Sequence, residues 1–252
     1  IMRQVDHPNV VKLIEVQEVH NAVIIVMEYV EGQELKKSNL QLSWRDILQI
    51  MKSLISVVAH LEKLGIVHRD LKPSNVMLAK AQNERIGPNT TKVFDFGLSA
   101  YLSEKLILTK CGTPGYIAPE VLQQTSKDRV VVLPSIDVYS LGIMFYEMVY
   151  KCNPFKDTAR ADSKKVVRKN ASGAIDFNKA TAYKNEMTPG VLKVMQDMTT
   201  IKELERPLAS QLLEYEIFKE TAGQNVKRTD YTTTIEENVI IRLSKDKRSN
   251  TI

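Results

Sequence analysis

Between Ile136 and Val149 the chain carries only two charged residues, Asp137 and Glu147, in an otherwise apolar or neutral run. A helix that is apolar around most of its circumference has no wet face and must be enclosed by other elements. Ser135 to Tyr150 is therefore expected to be the centre of a helical core. The run is too short and too charged to cross a bilayer, which takes about 20 consecutive apolar residues. An ionised Asp137 in such a helix needs a partner, because an unpaired buried charge is costly.

Other segments supply the walls. From Ser43 to Leu64, Ile47, Leu48, Met51, Leu54, Ile55, Val58 and Leu61 recur with helical period. Ser43 stands at the N-cap with Asp46 three positions on, and Gly65 stands where a helix closes. Thr188-Pro189 opens a helix running to about Thr200, and Pro207 to Tyr215 predicts a short last helix. Val10 to Val16 and Val23 to Met27 read as an antiparallel strand pair after a turn at His7-Pro8-Asn9, and Gly32 reads as a break. Asn75 to Leu78 and Thr91 to Phe94 are further short strands, joined by a polar connection, Ala79 to Asn89. From Thr221 onward the chain is polar apart from Val239-Ile240-Ile241, and a largely disordered tail is expected.

With 43% hydrophobic and 26% charged residues, the composition is that of a globular domain that buries a sizeable core. The net charge of +5 comes with no arginine-rich stripe, so no nucleic-acid partner is expected. Cys111 and Cys152 have neither metal-ligand spacing nor the density of a disulfide framework, which points to a reducing, cytoplasmic setting. No signal peptide or membrane span is read. Ile1 is not a methionine, and the chain reads as a piece of something longer.

The chemistry lies in three ordered motifs. His68-Arg69-Asp70-Leu71-Lys72-Pro73-Ser74-Asn75 follows the first long helix, Asp95-Phe96-Gly97 comes twenty residues after Asn75, and Ala118-Pro119-Glu120 closes the series. Singly, Asp70 and Asp95 would pass for turn residues and Asn75 for a cap. Together they meet a complete signature, H-R-D-L-x-x-x-N followed by D-F-G and A-P-E.

On these motifs the chain resembles eukaryotic-type protein kinases of the serine/threonine class over roughly residues 1 to 219. Gly97-Leu98-Ser99 and Cys111-Gly112-Thr113-Pro114-Gly115-Tyr116 are similar to calmodulin-dependent-type kinases. The resemblance implies an α+β, protein-kinase-like fold. Residues 1–30 would be the remnant strands of an N-terminal lobe and its hinge, 31–220 a mostly helical C-terminal lobe, and 221–252 the tail. It implies ATP and magnesium, protein substrates, and transfer of the γ-phosphate to a hydroxyl.

Residue by residue, Asp70 resembles the catalytic base, Lys72 the lysine steadying the γ-phosphate, and Asn75 and Asp95 the oxygen ligands of magnesium. Met27, Glu28 and Val30 resemble the hinge that reads adenine, with Met77 the apolar floor beneath the base. Glu34, grouped with this nucleotide edge, resembles an acidic residue that reads basic substrates, although Ser74 stands where some kinases place another glutamate. Thr113 resembles the threonine bonded to the catalytic aspartate and lysine. Thr109 stands where an upstream kinase would phosphorylate the chain, and Arg69 would receive that phosphate. Asp137 resembles the buried aspartate that holds the catalytic loop, and Glu120 with Arg206 a supporting ion pair.

Two departures stand out. The 252 residues include no glycine-rich loop and no strand lysine paired with a helix glutamate, so this chain by itself is expected to be inactive or nearly so. Phe94, before the aspartate of the second motif, is bulkier than usual. The competing reading is a scaffold that uses the helical lobe as a docking surface; the survival of Asp70, Lys72, Asn75 and Asp95 argues for the enzyme.

Overall fold

A computed structural model describes residues 1–20, 22–37, 41–80, 86–102, 111–123, 133–156 and 162–219, together with the backbone of 239–244. The fold is α+β, as expected: strands dominate the beginning of the chain and helices the remainder. In chain order come β1 (Leu13–Val19), β2 (Ala22–Glu28), β3 (Gly32–Glu34), α1 (Trp44–Lys63), β4 (Ile66–Val67), β5 (Val76–Ala79), β6 (Thr91–Val93) and β7 (Ala100–Tyr101). Then follow α2 (Pro119–Gln123), α3 (Ser135–Tyr150), α4 (Ser163–Ser172), α5 (Pro189–Met198), α6 (Ala209–Leu212) and β8 (Val239–Ser244).

The apolar segment forms α3, buried along nearly its whole length, with only Glu147 among its residues half-buried. Around it stand α1 and α5. The cap read at the start of α1 is a reciprocal box: the Asp46 amide donates to Ser43 Oγ, and the Ser43 amide donates to Asp46 Oδ2 at 2.9 Å. The predicted apolar face of α1 is buried, with Leu48 at its half-buried margin. Gly65 takes a φ of 64° just past the helix, a conformation for which a side chain is a handicap. Glu62 then reaches across to accept the amides of Ala209 and Ser210 at the start of α6. The helix expected over Pro207 to Tyr215 is a single α-turn followed by a 3-10 turn.

β1 and β2 pair antiparallel from Val19↔Ala22 to Leu13↔Met27, with an irregularity between Leu13 and Glu15. β3, β5 and β6 form a second antiparallel sheet in the order β3-β5-β6. Gly32 corrects the sequence expectation: it does not break the chain but begins β3. A Cβ there would lie 2.1 Å from the Leu78 carbonyl oxygen, so only glycine lets the two strands approach. β8 lies antiparallel on the other edge of β2, from Val23↔Ser244 to Glu28↔Val239. It begins at the apolar triplet noted above, so the expectation of a disordered tail does not extend to Val239–Ser244; the rest of 221–252 lies outside the described residues.

Where α3 crosses the end of α5, Gly142 makes the contact. A Cβ on it would stand 2.7 Å from Thr199 Cγ2 and 2.9 Å from Met198 Cβ. Neighbours this close cannot accept extra volume without backbone movement. Gly142→Leu is expected to lower unfolding free energy by about 1–3 kcal/mol in urea denaturation, with an unchanged m-value.

Candidate active site

The site begins at the loop between β4 and β5. Asp137, in the first turn of α3, accepts the amide of His68 at 2.6 Å on one carboxylate oxygen and that of Arg69 at 2.9 Å on the other. Burial pushes its carboxyl up to about 6, while these two amides and the Arg69 charge pull in the opposite direction. Held this way, Arg69 adopts a φ of 67°, uncommon for a residue with a side chain. Its guanidinium Nε donates to the Leu98 carbonyl.

One residue on, Asp70 is the centre of a closed hydrogen-bond cluster. Lys72 Nζ donates to Asp70 Oδ2 and to Thr113 Oγ1, both at 2.7 Å, and Thr113 Oγ1 donates to Asp70 Oδ1 at 2.6 Å. Asn75 Nδ2 donates to the Asp70 carbonyl at 2.9 Å and to Oδ2 at 3.2 Å. Four residues separated by up to 43 positions are thus brought together around one carboxylate. With its amide donor engaged, Asn75 retains Oδ1 as an oxygen donor, which suits a hard cation.

Asp95 reaches the same neighbourhood through β6. The Phe94 amide donates to the Asn75 carbonyl at 3.1 Å, which sets the next residue beside the loop. Asp95 has φ and ψ of 67°, turning the chain sharply into a 3-10 turn at Phe96–Leu98. A Cβ on Gly97 would lie 3.2 Å from Asp95 Oδ1, so the glycine leaves the carboxylate room. Asp70 and Asp95 both act on the buried His68 ring, which packs 4.8 Å from the Phe96 ring between centroids. Phe94 itself is half-buried.

The expected adenine-reading residues lie along the strands. Met27 and Glu28 end β2, Val30 follows it, and Met77 in β5 is paired with Glu34 on one side and Lys92 on the other. Lys92 Nζ lies 2.8 Å from Glu28 Oε1, fastening the end of β2 to β6. Glu34 is not open: Lys37 Nζ stands 2.7 Å from its carboxylate. Thr109 lies outside the described residues.

Behind the site, Glu120 and Arg206 form a two-armed ion pair at 2.7 and 3.1 Å, with the Arg206 side chain fully buried. Its remaining donors go to the carbonyls of Thr200 and Ser135, so no charge is left uncompensated. The sequence reading missed Asn170 of α4. Buried, it accepts the Gly115 amide and donates to the Ile117 carbonyl, while Asn153 donates to the Gly115 carbonyl. These two asparagines hold the segment that presents Thr113. Nothing in the polar string of α4 marks Asn170 as buried.

The model of the protein kinase domain matches residues 1–218. The chain is 36% identical over 159 residues to myosin light chain kinase A of Dictyostelium discoideum, covering 62% of this chain and 51% of that protein. Against the human calcium/calmodulin-dependent protein kinase type IV it is 35% identical over 161 residues, 62% of this chain and 32% of that one. A probable myosin light chain kinase of Dictyostelium discoideum is 31% identical over 222 residues, 85% of this chain and 67% of its own length. The chain belongs to the protein kinase domain family, among relatives of the serine/threonine type. It spans about half the length of the first of these relatives and about a third of the second.

His68 offers a test of the site's packing. Burial holds its pKa down to about 4, against the pull of the Phe94 carbonyl and of Asp70 and Asp95. A ring kept neutral in the fold takes up fewer protons than in the unfolded chain between about pH 4 and 6.5. Its stabilising contribution is therefore complete above that window and lost as pH falls through it. The stability of the wild type minus that of His68→Tyr, from urea titrations, is expected to rise from pH 4 to 6.5 and then level off.

Proposed function

We propose that the chain is the catalytic part of a serine/threonine protein kinase that transfers the γ-phosphate of ATP to protein hydroxyls. The observation that carries the reading is the cluster in which Lys72, Asn75 and Thr113 all bond to Asp70. In such a transfer the transition state is loose, and the protein works mainly by positioning and by neutralising charge. Asp70 Oδ1 or Oδ2 orients the incoming hydroxyl and accepts its proton. Lys72, already at the carboxylate, offers its ammonium to the transferring phosphoryl group. Thr113 sets the rotamer of both.

Magnesium would be held by Asn75 Oδ1 and the Asp95 carboxylate, and it supplies charge neutralisation at the phosphates when bound. Adenine is read along the end of β2, by the backbone of Glu28 and Val30, with Met27 and Met77 lining the base. A hydroxyl-bearing protein segment is the acceptor, and the cytoplasm is the proposed setting. The presence of Asp70, Lys72, Asn75 and Asp95 together favours this over a docking scaffold, which would have no use for them. Within these 252 residues no glycine-rich loop or strand lysine covers the phosphates, so the chain by itself binds ATP weakly and turns over little.

Activity is therefore best tested in a fusion that places a glycine-rich loop and lysine-bearing strand of a related kinase ahead of Ile1. Phosphate transfer from magnesium-ATP to a serine peptide is expected there, and Asp70→Asn should lower kcat by about 10² to 10⁴. Equal turnover of that variant and its parent would refute the base assignment.

Regulation follows from Arg69. Phosphorylation of Thr109 by an upstream kinase would present the dianion to this guanidinium, with each charge-assisted bond worth roughly 1.5–3 kcal/mol. In the same fusion, treatment with an activating kinase is expected to raise activity at least about tenfold, given one such bond. Thr109→Ala should abolish the response; phosphate mapping by mass spectrometry at another residue alone would count against it.

A further inference from the structure

Helix α4 carries four lysine or arginine residues in ten and no acidic one. Lys164, Lys165, Arg168 and Lys169 are exposed, whereas Val166 and Asn170 are buried. At 3.6 residues per turn the four cations occupy an arc of about 140°, with Asn170 behind them. Among the described residues, no carboxylate stands within ion-pair distance of Lys164, Lys165 or Arg168. Asp162, the acidic residue just ahead of the helix, caps it by accepting the Lys164 amide at 3.0 Å. The buried face has another task. Asn170 holds Gly115 and Ile117, so the basic face lies back to back with the one that secures the active-site segment.

The basic face leads into a groove. Gly173 closes α4 with a φ of 63°, and a Cβ on it would lie 2.6 Å from Ile201 Cγ1. At this contact a groove of about 340 Å³ opens, with Ile175, Phe177, Thr199, Ile201 and Lys202 among its lining residues. Ile175 and Phe177 are half-buried and Ile201 is 46% exposed, so apolar surface remains open to a ligand. Lys202 pairs with Glu205 at 2.7 Å, and Asp176 accepts the Asn178 amide, so the charge a partner meets is that of α4. A concave apolar site takes an inserted side chain, which a nucleic-acid backbone does not offer, and α4 has no aromatic residue on which a base could stack. An anionic bilayer fits poorly too. It receives protruding apolar residues, and Leu204, 84% exposed, stands between Glu203 and Glu205.

We infer that the exposed face of α4 and the groove at its end form one docking surface for an acidic segment of a partner protein that carries an apolar anchor. The acidic residues lie along Lys164, Lys165 and Arg168, and the anchor enters beside Ile175, Phe177 and Ile201. From Lys164 to Gly173 the helix rises about 14 Å, the reach of four or five extended residues. Each exposed charge contact contributes modestly, and together they exclude basic segments. The anchor supplies what charge alone does not, a fixed register on the surface.

Selection from a displayed library of random peptides, each about twelve residues long, tests the inference on the immobilised 252-residue chain at low salt. Peptides that combine a run of Asp or Glu with a neighbouring Leu, Ile or Phe are expected to be enriched. The most enriched is then labelled with fluorescein and titrated by anisotropy. The double variant Lys165→Glu/Arg168→Glu should weaken its binding at least about fivefold, and added salt should weaken it as well. Ile201→Ser should weaken it through the groove. Both α4 positions are exposed, so the double variant retains the fold, which circular dichroism verifies. Enrichment of basic or purely apolar peptides, no enrichment at all, or an affinity unmoved by either variant would overturn the proposal. Binding of phosphatidylserine vesicles or of oligouridine that the double variant abolishes, with no peptide selected, would assign the face to a membrane or to RNA and overturn it too. None of these readouts depends on phosphate transfer, so the kinase reading stands or falls separately.

Discussion

A carboxylate in the first turn of α3 grips the two amides that begin the loop between β4 and β5, and the rest of the site inherits its geometry from that grip. Because α3 is buried nearly throughout, Asp137 cannot drift, and its two bonds make the left-handed backbone of Arg69 tolerable. The turn at Arg69 aims Asp70 toward Lys72, Asn75 and Thr113. It also routes the opposing segment, since a Cβ on Gly112 would lie 2.8 Å from the Arg69 carbonyl oxygen. A single buried acid thus couples the most apolar element of the fold to its most polar one.

The segment from Cys111 to Ala118 is held from two sides. In front, Thr113 bonds to Asp70 and Lys72; behind, Asn153 and Asn170 satisfy the backbone at Gly115 and Ile117. Further back, Arg206 and Glu120 fix α2, with the guanidinium 5.1 Å from the Tyr139 ring centroid. Each buried polar group in this layer has its partner, which is what allows charge to be placed in a low-dielectric interior at all. Such a network favours one arrangement of the segment over near alternatives.

Much of this was legible in the order of residues. The capping box of α1, the enclosed α3 and the antiparallel β1–β2 pair follow from local chemistry and periodicity, which need no distant partner. The motif residues Asp70, Lys72, Asn75 and Asp95 were legible because they fall at the separations of the H-R-D-L-x-x-x-N and D-F-G signature. Gly32 was misread, since a glycine at a turn and a glycine at a close strand contact look alike until the Leu78 carbonyl is seen opposite. Asn170 was invisible for a related reason: its burial is decided by what α4 packs against, in a helix whose own composition is polar.

By itself the sequence determined α1, α3, the start of α5 and the β1–β2 pair, which face of α1 turns inward, and which side chains are chemically able to handle a hydroxyl, a phosphate and a hard cation. These depend on residue type and short-range spacing. Only the tertiary structure decided that Lys156 lies across Tyr116 and that β8 returns to the edge of β2. Charge balance at a surface and strand order in a sheet are set by which distant segments meet. That is a property of the assembled core, and no local pattern encodes it.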